Sequence, residues 1–368
     1  MANETLISEM NTTSYDNTTS SERMIIIYQH YFERQIIAAL FIMAAIVGTT
    51  GNSLVIIAVA LSKKLRTPTN VFVVNLAIAD LLACTALPWQ SLSVLHEDGW
   101  PLEDAYWICV ASASVLITCG TCSINNLALI AVTRWVGITK PKHTAHRMRS
   151  HRTLAVMVAL TWLIPCGCVL VPLVSDFGEL GYEKIYSLCS WDTSNPYSMY
   201  FNILLLAIGY PVQFVTIIFC YTSIFAFVRR NNREMTMASK QRAPSVSAKV
   251  SASVSTTSLR KKLWQRKLDV TKNLVYIVLA FAVSQTPYCV VLLLYTDLSY
   301  RLTPYFAVIL FCNCCVNPII YATSHPDFKE AFRHMIKCRR REIPQSYQRN
   351  GQQKHQLTSD QTESNDKL

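Results

Sequence analysis

Seven long apolar stretches leave this chain little choice of architecture. They fall at about 36–61, 70–95, 106–133, 152–174, 198–228, 268–296 and 303–323. Each is long enough to cross roughly 30 Å of hydrocarbon as a helix. Hydrocarbon offers no water to backbone N–H and C=O groups, so a spanning segment must close its own hydrogen bonds. Of the 368 residues 51% are hydrophobic and only 15% charged, against about a quarter charged in a soluble chain. The expected fold is an all-α membrane protein, a seven-transmembrane helix bundle. The third stretch carries Ser112, Ser114, Thr118, Thr121, Ser123, Asn125 and Asn126, which places it inside the bundle rather than against lipid.

Lysine and arginine orient the bundle. Segments 62–69, 139–152, 229–267 and 325–368 together hold 28 of them, whereas 1–35, 96–104, 175–197 and 297–301 hold 4. The rich side is expected in the cytoplasm. The net charge of +11 thus reflects membrane orientation, and no interleaved basic–aromatic patch points to nucleic acid. Three glycosylation sequons, at Asn3, Asn11 and Asn17, lie in the segment this rule puts outside. The first residues are polar and lack the apolar core of a cleavable signal peptide, so the first membrane helix is expected to direct insertion.

The chain divides into a glycosylated extracellular N-terminus (1–35), the membrane bundle (36–324), a short amphipathic helix (325–338) and a disordered cytoplasmic tail (339–368). In "HPDFKEAFRHMIKCRRR", Phe328, Phe332 and Met335 recur at helical spacing beside Lys and Arg, the pattern of a helix lying on the inner membrane surface. Cys338 at its end is a candidate for lipidation. The segment 239–258 is rich in Ser, Ala and Val and reads as a cytoplasmic loop. No repeat relates two halves of the membrane region, against a transporter. No nucleophile–base pair or metal-ligand set suggests an enzyme.

Most of the 13 cysteines lie in apolar stretches, where small-residue packing is the ordinary role. Cys109 and Cys189 both face the oxidising side, so a bridge between them is chemically allowed, though its geometry is not legible in sequence. Each membrane stretch also carries a residue that lipid disfavours: Asn52, Asp80, Arg134, Trp162, Pro211, Pro287 and the run Asn317-Pro318-Ile319-Ile320-Tyr321. An ionised Asp near the bilayer centre costs on the order of 3 kcal/mol, so Asp80 should face inward and have partners. Pro287 and Pro318 each remove a backbone donor and supply a place to bend.

With these marks in order, the chain resembles a rhodopsin-like (class A) G-protein-coupled receptor over about residues 36–338. The resemblance rests on "GNSLV" with Asn52, "NLAIADLLA" with Asp80, the pair Cys109 and Cys189, "TRW" with Arg134, Trp162, "TPY" with Pro287, and "NPIIY" with Asn317 and Tyr321. Within the family, "EDGWPL" and "FCY" are similar to melatonin-receptor-like and related invertebrate orphan receptors. The resemblance implies a disulfide between Cys109 and Cys189. It implies a sodium pocket of Asp80, Ser123, Asn313 and Asn317, oxygen-bearing side chains suited to a small hard cation, against a polar core that holds no ion. No other cofactor is expected. Ile124 and Phe281 match the apolar pair that repacks on activation, and Tyr221 and Tyr321 would swing towards Arg134 as the cytoplasmic end opens.

Three departures bear on mechanism. The acid that usually precedes the arginine is Thr133 here, and the aromatic after it is Trp135. Threonine offers Arg134 only a neutral acceptor, which predicts raised basal activity. Gln285 replaces the tryptophan of the sixth helix, so a ligand must trip the bend at Pro287 differently. Gln213 stands where the fifth helix usually has proline, with Pro211 nearer the outside. These changes keep open a non-signalling scavenger or scaffold with the receptor fold.

The resemblance also outlines a ligand site: Leu116, Ile117, Gly120, Gln285, Tyr288, Cys289, Ala307 and Phe311. Amine receptors carry an aspartate at the position of Leu116, so a cationic amine would lack its counter-ion. Opsins carry their retinal lysine at the position of Phe311, so no Schiff base can form there. A neutral or lipid-like small molecule is expected, with a peptide resting on Glu103, Asp104, Asp176 and Glu179 as the alternative. The expectation is a multi-pass plasma-membrane receptor, N-terminus outside and C-terminus inside. It would relay an unidentified extracellular ligand to a heterotrimeric G protein, with Thr133, Arg134, Trp135, Tyr221, Phe281, Pro287, Pro318 and Tyr321 as switch and G-protein contact. Serines and threonines of the loop and tail are candidates for a receptor kinase and arrestin, and membrane lipid is the remaining partner.

Overall fold

The computed structural model describes residues 31–96, 98–241, 275–294 and 296–337. Asn3, Asn11, Asn17, Cys338, the phosphorylation candidates of 245–258 and the tail beyond 337 lie outside the described residues. Seven helices have the length and composition to cross a membrane. In chain order they are α1 (Tyr31–Leu61), α2 (Asn70–Leu95), α3 (Tyr106–Thr139), α5 (His151–Val174), α6 (Pro196–Gln241), α7 (Val275–Leu294) and α8 (Asp297–Ser324). The short helix α4 (Lys142–Met148) lies between α3 and α5, and α9 (Pro326–Ile336) follows α8.

Local chemistry sets several of the boundaries. Thr296 and Ser299 form a reciprocal capping box at the start of α8: the Ser299 N–H donates to Thr296 Oγ1 (3.1 Å) and the Thr296 N–H to Ser299 Oγ (2.8 Å). Ser150 accepts the Thr153 N–H at the start of α5. Pro326 at the first turn of α9 follows the end of α8 at Ser324 and starts a new helix. The first helix begins earlier than hydropathy suggests, at Tyr31, and α6 continues past the membrane to Gln241. Polar residues permit both extensions because a helix needs no apolar face once it leaves lipid.

Helix α3 is the hub, touching α2, α5, α6 and the two strands. Large apolar side chains such as Ile46, Leu163, Val215 and Val283 are exposed, the arrangement expected where hydrocarbon is the solvent. Inside, Leu76, Ile124, Leu127, Ile130, Phe281, Tyr321 and Phe328 form one core at the α9 end of the bundle, and Ile37, Phe41, Leu87, Leu116 and Ala307 a second at the end nearer Leu188. The first core includes Phe332 as well, so α9 docks by its aromatic face.

Among the described residues the only strands form a hairpin in the segment 175–197. Strands β1 (Leu180–Glu183) and β2 (Leu188–Trp191) pair antiparallel, with Tyr182 opposite Cys189. Ser187 takes the left-handed conformation, φ 52°, at the turn. Cys109 at the outer end of α3 is bonded to Cys189 of β2, with Cα atoms 5.2 Å apart. Gln90 of α2 adds a second tie, accepting the Cys189 N–H (3.0 Å) and donating to the Cys189 carbonyl (2.8 Å).

Candidate functional site

The hairpin covers the outer end of the bundle, and that determines what the ligand residues meet. Leu188, Ile185 and Tyr186 pack into one cluster with Leu116, Tyr288, Ala307 and Phe311. Phe311 meets Phe41 of α1 at 6.1 Å between ring centroids. Cys289 is buried, and Gln285 donates to its sulfur at 3.6 Å, a weak bond to a weak acceptor. Deeper on α3, a Cβ placed on Gly120 would meet nothing within 4 Å; the same holds for Gly209 on α6. Ile117 packs partly against the cluster around the disulfide rather than with Leu116. Phe41, Tyr186 and Leu188 were not in the sequence-derived set, because only the folded hairpin and the rotation of α1 bring them in.

Two charged side chains at the hairpin, Glu183 and Arg34, are engaged. Glu183 is buried, and its two carboxylate oxygens accept backbone N–H groups from Ile185 (3.0 Å) and Thr193 (2.7 Å). Arg34 donates to the carbonyls of Val94 and His96 and to Ser187 Oγ. Outside the membrane segments, burial raises the pKa of the Tyr182 phenol above its usual value, so it stays neutral at physiological pH. Toward the cluster the hairpin presents Ile185, Tyr186 and Leu188.

A polar core lies below. Ser123 donates to Asp80 Oδ1 at 3.0 Å and Asn317 to Asp80 Oδ2 at 2.8 Å. Asn313 is buried one turn before Asn317 but makes no hydrogen bond to the carboxylate. Asn52 bridges Gly48 and Cys314 by donating to both carbonyls at 2.9 Å. Asn75 joins three helices, donating to Asn126 (2.8 Å) and Thr161 (3.0 Å) and accepting from Trp162 Nε1 (2.8 Å). Gln213 donates to Asn125 Oδ1 at 2.8 Å, so the residue in the proline position of α6 ties that helix to α3.

At the end of α3 nearer α4, Thr133 Oγ1 donates to the carbonyl of Ile130 at 2.9 Å. The hydroxyl expected to offer Arg134 an acceptor is thus turned back on its own helix. The Arg134 Nε is buried without a hydrogen-bond partner, as are the Tyr221 and Tyr321 hydroxyls. These two phenols and the Arg149 guanidinium are within electrostatic reach of Arg134. Trp135 meets Phe219 edge to face at 5.5 Å and lies under the Lys140 ammonium at 4.8 Å. Ile124 and Phe281 are buried in the same core. Pro318 packs close to Gly51, where a Cβ would lie 2.8 Å from its ring, while Pro287 sits mid-helix in α7.

Residues 51–321 match the family model described as "7 transmembrane receptor (rhodopsin family)". Similar curated proteins include melanopsin of Rutilus rutilus, 32% identical over 82% of this chain and 58% of the relative. Melanopsin-A of Danio rerio is 30% identical over 83% of this chain and 50% of its own length. The chain spans about half the length of the curated relatives it matches. The fold is similar to the crystal structure of squid rhodopsin, with TM-score 0.68 and 24% identity over 84% of this chain and 88% of that one. These relatives are melanopsins, while "EDGWPL" and "FCY" resemble melatonin-receptor-like and related invertebrate orphan receptors.

Proposed function

This chain belongs to the rhodopsin family of seven-transmembrane receptors, and from that membership we propose a plasma-membrane receptor that passes a neutral, lipid-like signal to a heterotrimeric G protein. The observation that carries the reading is the apolar cluster of Leu116, Tyr288, Ala307 and Phe311 beneath the hairpin. A cation or anion brought there would be desolvated without a partner. Open space at Gly120 and Gly209 gives a ligand backbone to lie against, and Gln285 and Tyr288 offer it hydrogen bonds.

Asp80 is the proposed seat of a sodium ion. Its carboxylate is buried with two neutral hydrogen-bond donors and no ion pair, so a monovalent cation fits its uncompensated charge. A bound sodium would supply that countercharge, while Ser123 and Asn317 orient the carboxylate between α3 and α8. On the cytoplasmic face, Arg134, Trp135, Tyr221 and Tyr321 form the proposed G-protein contact, with the N-terminus outside and the C-terminus inside. Kinase phosphorylation and arrestin binding are proposed for the loop and tail.

The likeness to melanopsins favours a second reading, a light-driven member of the family. Helix α8 contains no lysine, and the opsin lysine position is Phe311, so a retinal-like chromophore would be held without a Schiff base. Absorbance of the purified receptor after incubation with retinal separates the readings: a bound chromophore whose band bleaches in light supports the second, and no band beyond that of free retinal supports the first.

The signalling claim is tested by nucleotide exchange on a panel of purified G proteins, with the receptor in lipid nanodiscs. Ligand-free exchange above background that is lost in Arg134→Ala supports it. If no G protein exchanges faster, with or without lipid-extract fractions, the chain is a scaffold with the receptor fold.

A further inference from the structure

Three sulfur atoms converge in the outer half of the bundle, beside a glycine. Cys84 of α2 donates to Cys314 Sγ of α8 at 3.5 Å, and Cys314 and Cys315 sulfurs are 3.9 Å apart. From the point where a Gly48 Cβ would stand, the Cys84, Cys314 and Cys315 sulfurs lie at 2.4, 3.1 and 3.5 Å. Gly48 thus vacates the volume the thiols occupy. Asn52 fixes the backbone on both sides by holding the Gly48 and Cys314 carbonyls. Cys315 is tied elsewhere, donating to the Ala44 carbonyl at 3.1 Å, which leaves Cys84 and Cys314 facing each other. The contact of the two sulfurs at 3.5 Å brings them within reach of each other.

We propose that Cys84 and Cys314 are a thiol-oxidation site that a hydroperoxide converts to a disulfide between α2 and α8. The Cys84 sulfur, on losing its proton, attacks the peroxide O–O bond. That bond breaks, leaving a sulfenic acid on Cys84 and, from hydrogen peroxide, one water. The Cys314 sulfur then displaces the hydroxyl: the S–S bond forms, the S–O bond breaks, and the hydroxyl leaves as a second water with the Cys314 proton. Two electrons pass from the two sulfurs to the peroxide. Contact at 3.5 Å makes the second step effectively intramolecular. A small uncharged peroxide can reach a site within the bundle.

The bridge would lie one helical turn from the bond between Asp80 and Asn317 and join the same two helices. It would make that non-covalent tie permanent and hold the Asn317–Tyr321 run in place. This regulatory consequence rests on the receptor reading; the chemistry of the pair does not.

The full-length chain in nanodiscs is treated with graded hydrogen peroxide, free thiols are blocked under denaturing conditions, and non-reduced peptides are mapped by mass spectrometry. A Cys84–Cys314 peptide should accumulate with peroxide, disappear on dithiothreitol treatment, and be absent from Cys314→Ser. It should fall to the untreated level in Gly48→Ala, which keeps both thiols but displaces the Cys84 sulfur. The Cys109–Cys189 peptide from the same digest reports folding. If that peptide is recovered and Cys84 stays reduced, or pairs with another cysteine, the proposal is wrong. Ligand-free exchange should drop after peroxide in the native chain and not in Cys314→Ser; a bridged receptor that exchanges as before overturns the locking role.

Discussion

Arg134 occupies a position where its charge is poorly met. A buried charged donor without a partner costs on the order of 1–3 kcal/mol, and here Nε has none while Thr133 bonds to Ile130 instead. An acid at 133 would supply a charge-assisted bond, roughly twice as strong as a neutral one. Thr133→Asp should therefore stabilise the resting state by about 1 kcal/mol or more and lower ligand-free exchange about fivefold. Unchanged exchange in that variant would refute this account of the position. Asn75 argues the opposite case, a polar residue fully met. Asn75→Ala leaves Trp162 Nε1 and the Asn126 carbonyl oxygen without their partner, which should destabilise the protein by about 1–3 kcal/mol. A lowered midpoint in a thiol-reactive dye melt would register it, and ligand binding should survive.

Helix α9 shows which of two forces holds an element. Lys64 pairs with Asp327 at 3.1 Å and Glu330 at 2.9 Å. Burial alone would lower the Lys64 pKa, but the hydrogen bonds and charges of Glu330 and Asp327 outweigh it and the net shift is upward. A raised folded pKa means that this contribution is complete at neutral pH. It is lost only as pH rises through a range above that of an ordinary lysine. Partly exposed pairs of this kind contribute about 0.2–1 kcal/mol each. Phe328, by contrast, is fully buried and stacked on Tyr321 at 5.1 Å; truncating such a ring costs about 3–5 kcal/mol. Amide exchange across α9 should accelerate modestly in Lys64→Ala and strongly in Phe328→Ala. Equal effects would mean that the ion pairs matter more than the aromatic face. At the same scale, Gln213→Pro removes the side-chain tie to Asn125 and restores a proline, and should alter the helix α6 contact with α3.

For the whole molecule, the hairpin links the outer ends of α2 and α3 into one lid. The Cys109–Cys189 bond closes a sequence separation of 80 residues, and a loop of that order is worth about 4–5 kcal/mol in the chain-entropy view. Cys189→Ser should lower the thermal midpoint and expose the cluster around Leu116 and Phe311 to small polar quenchers. The hydrogen bonds from Gln90 and Arg34 would hold part of the lid, so partial rather than complete opening is the expected result.

The seven spans and the polar marks on each helix were legible in the residues themselves. Length and hydropathy act along the chain, and a charge or proline in an apolar run announces itself without knowledge of its neighbours. The sequence also singled out Cys109 and Cys189, and placed Asp80 beside Ser123 and Asn317 by resemblance. It did not reveal that Asn313 makes no bond to Asp80, that Thr133 turns away from Arg134, or that residues 180–191 form a hairpin packed over Phe311. Nor did it reveal the contact between Cys84 and Cys314. Each of these depends on the rotation of a helix about its axis and on which atoms of another helix arrive at the same depth. Periodicity tells which face of a helix is buried, but only the packed bundle sets the distance of a few ångströms at which two side chains bond or miss.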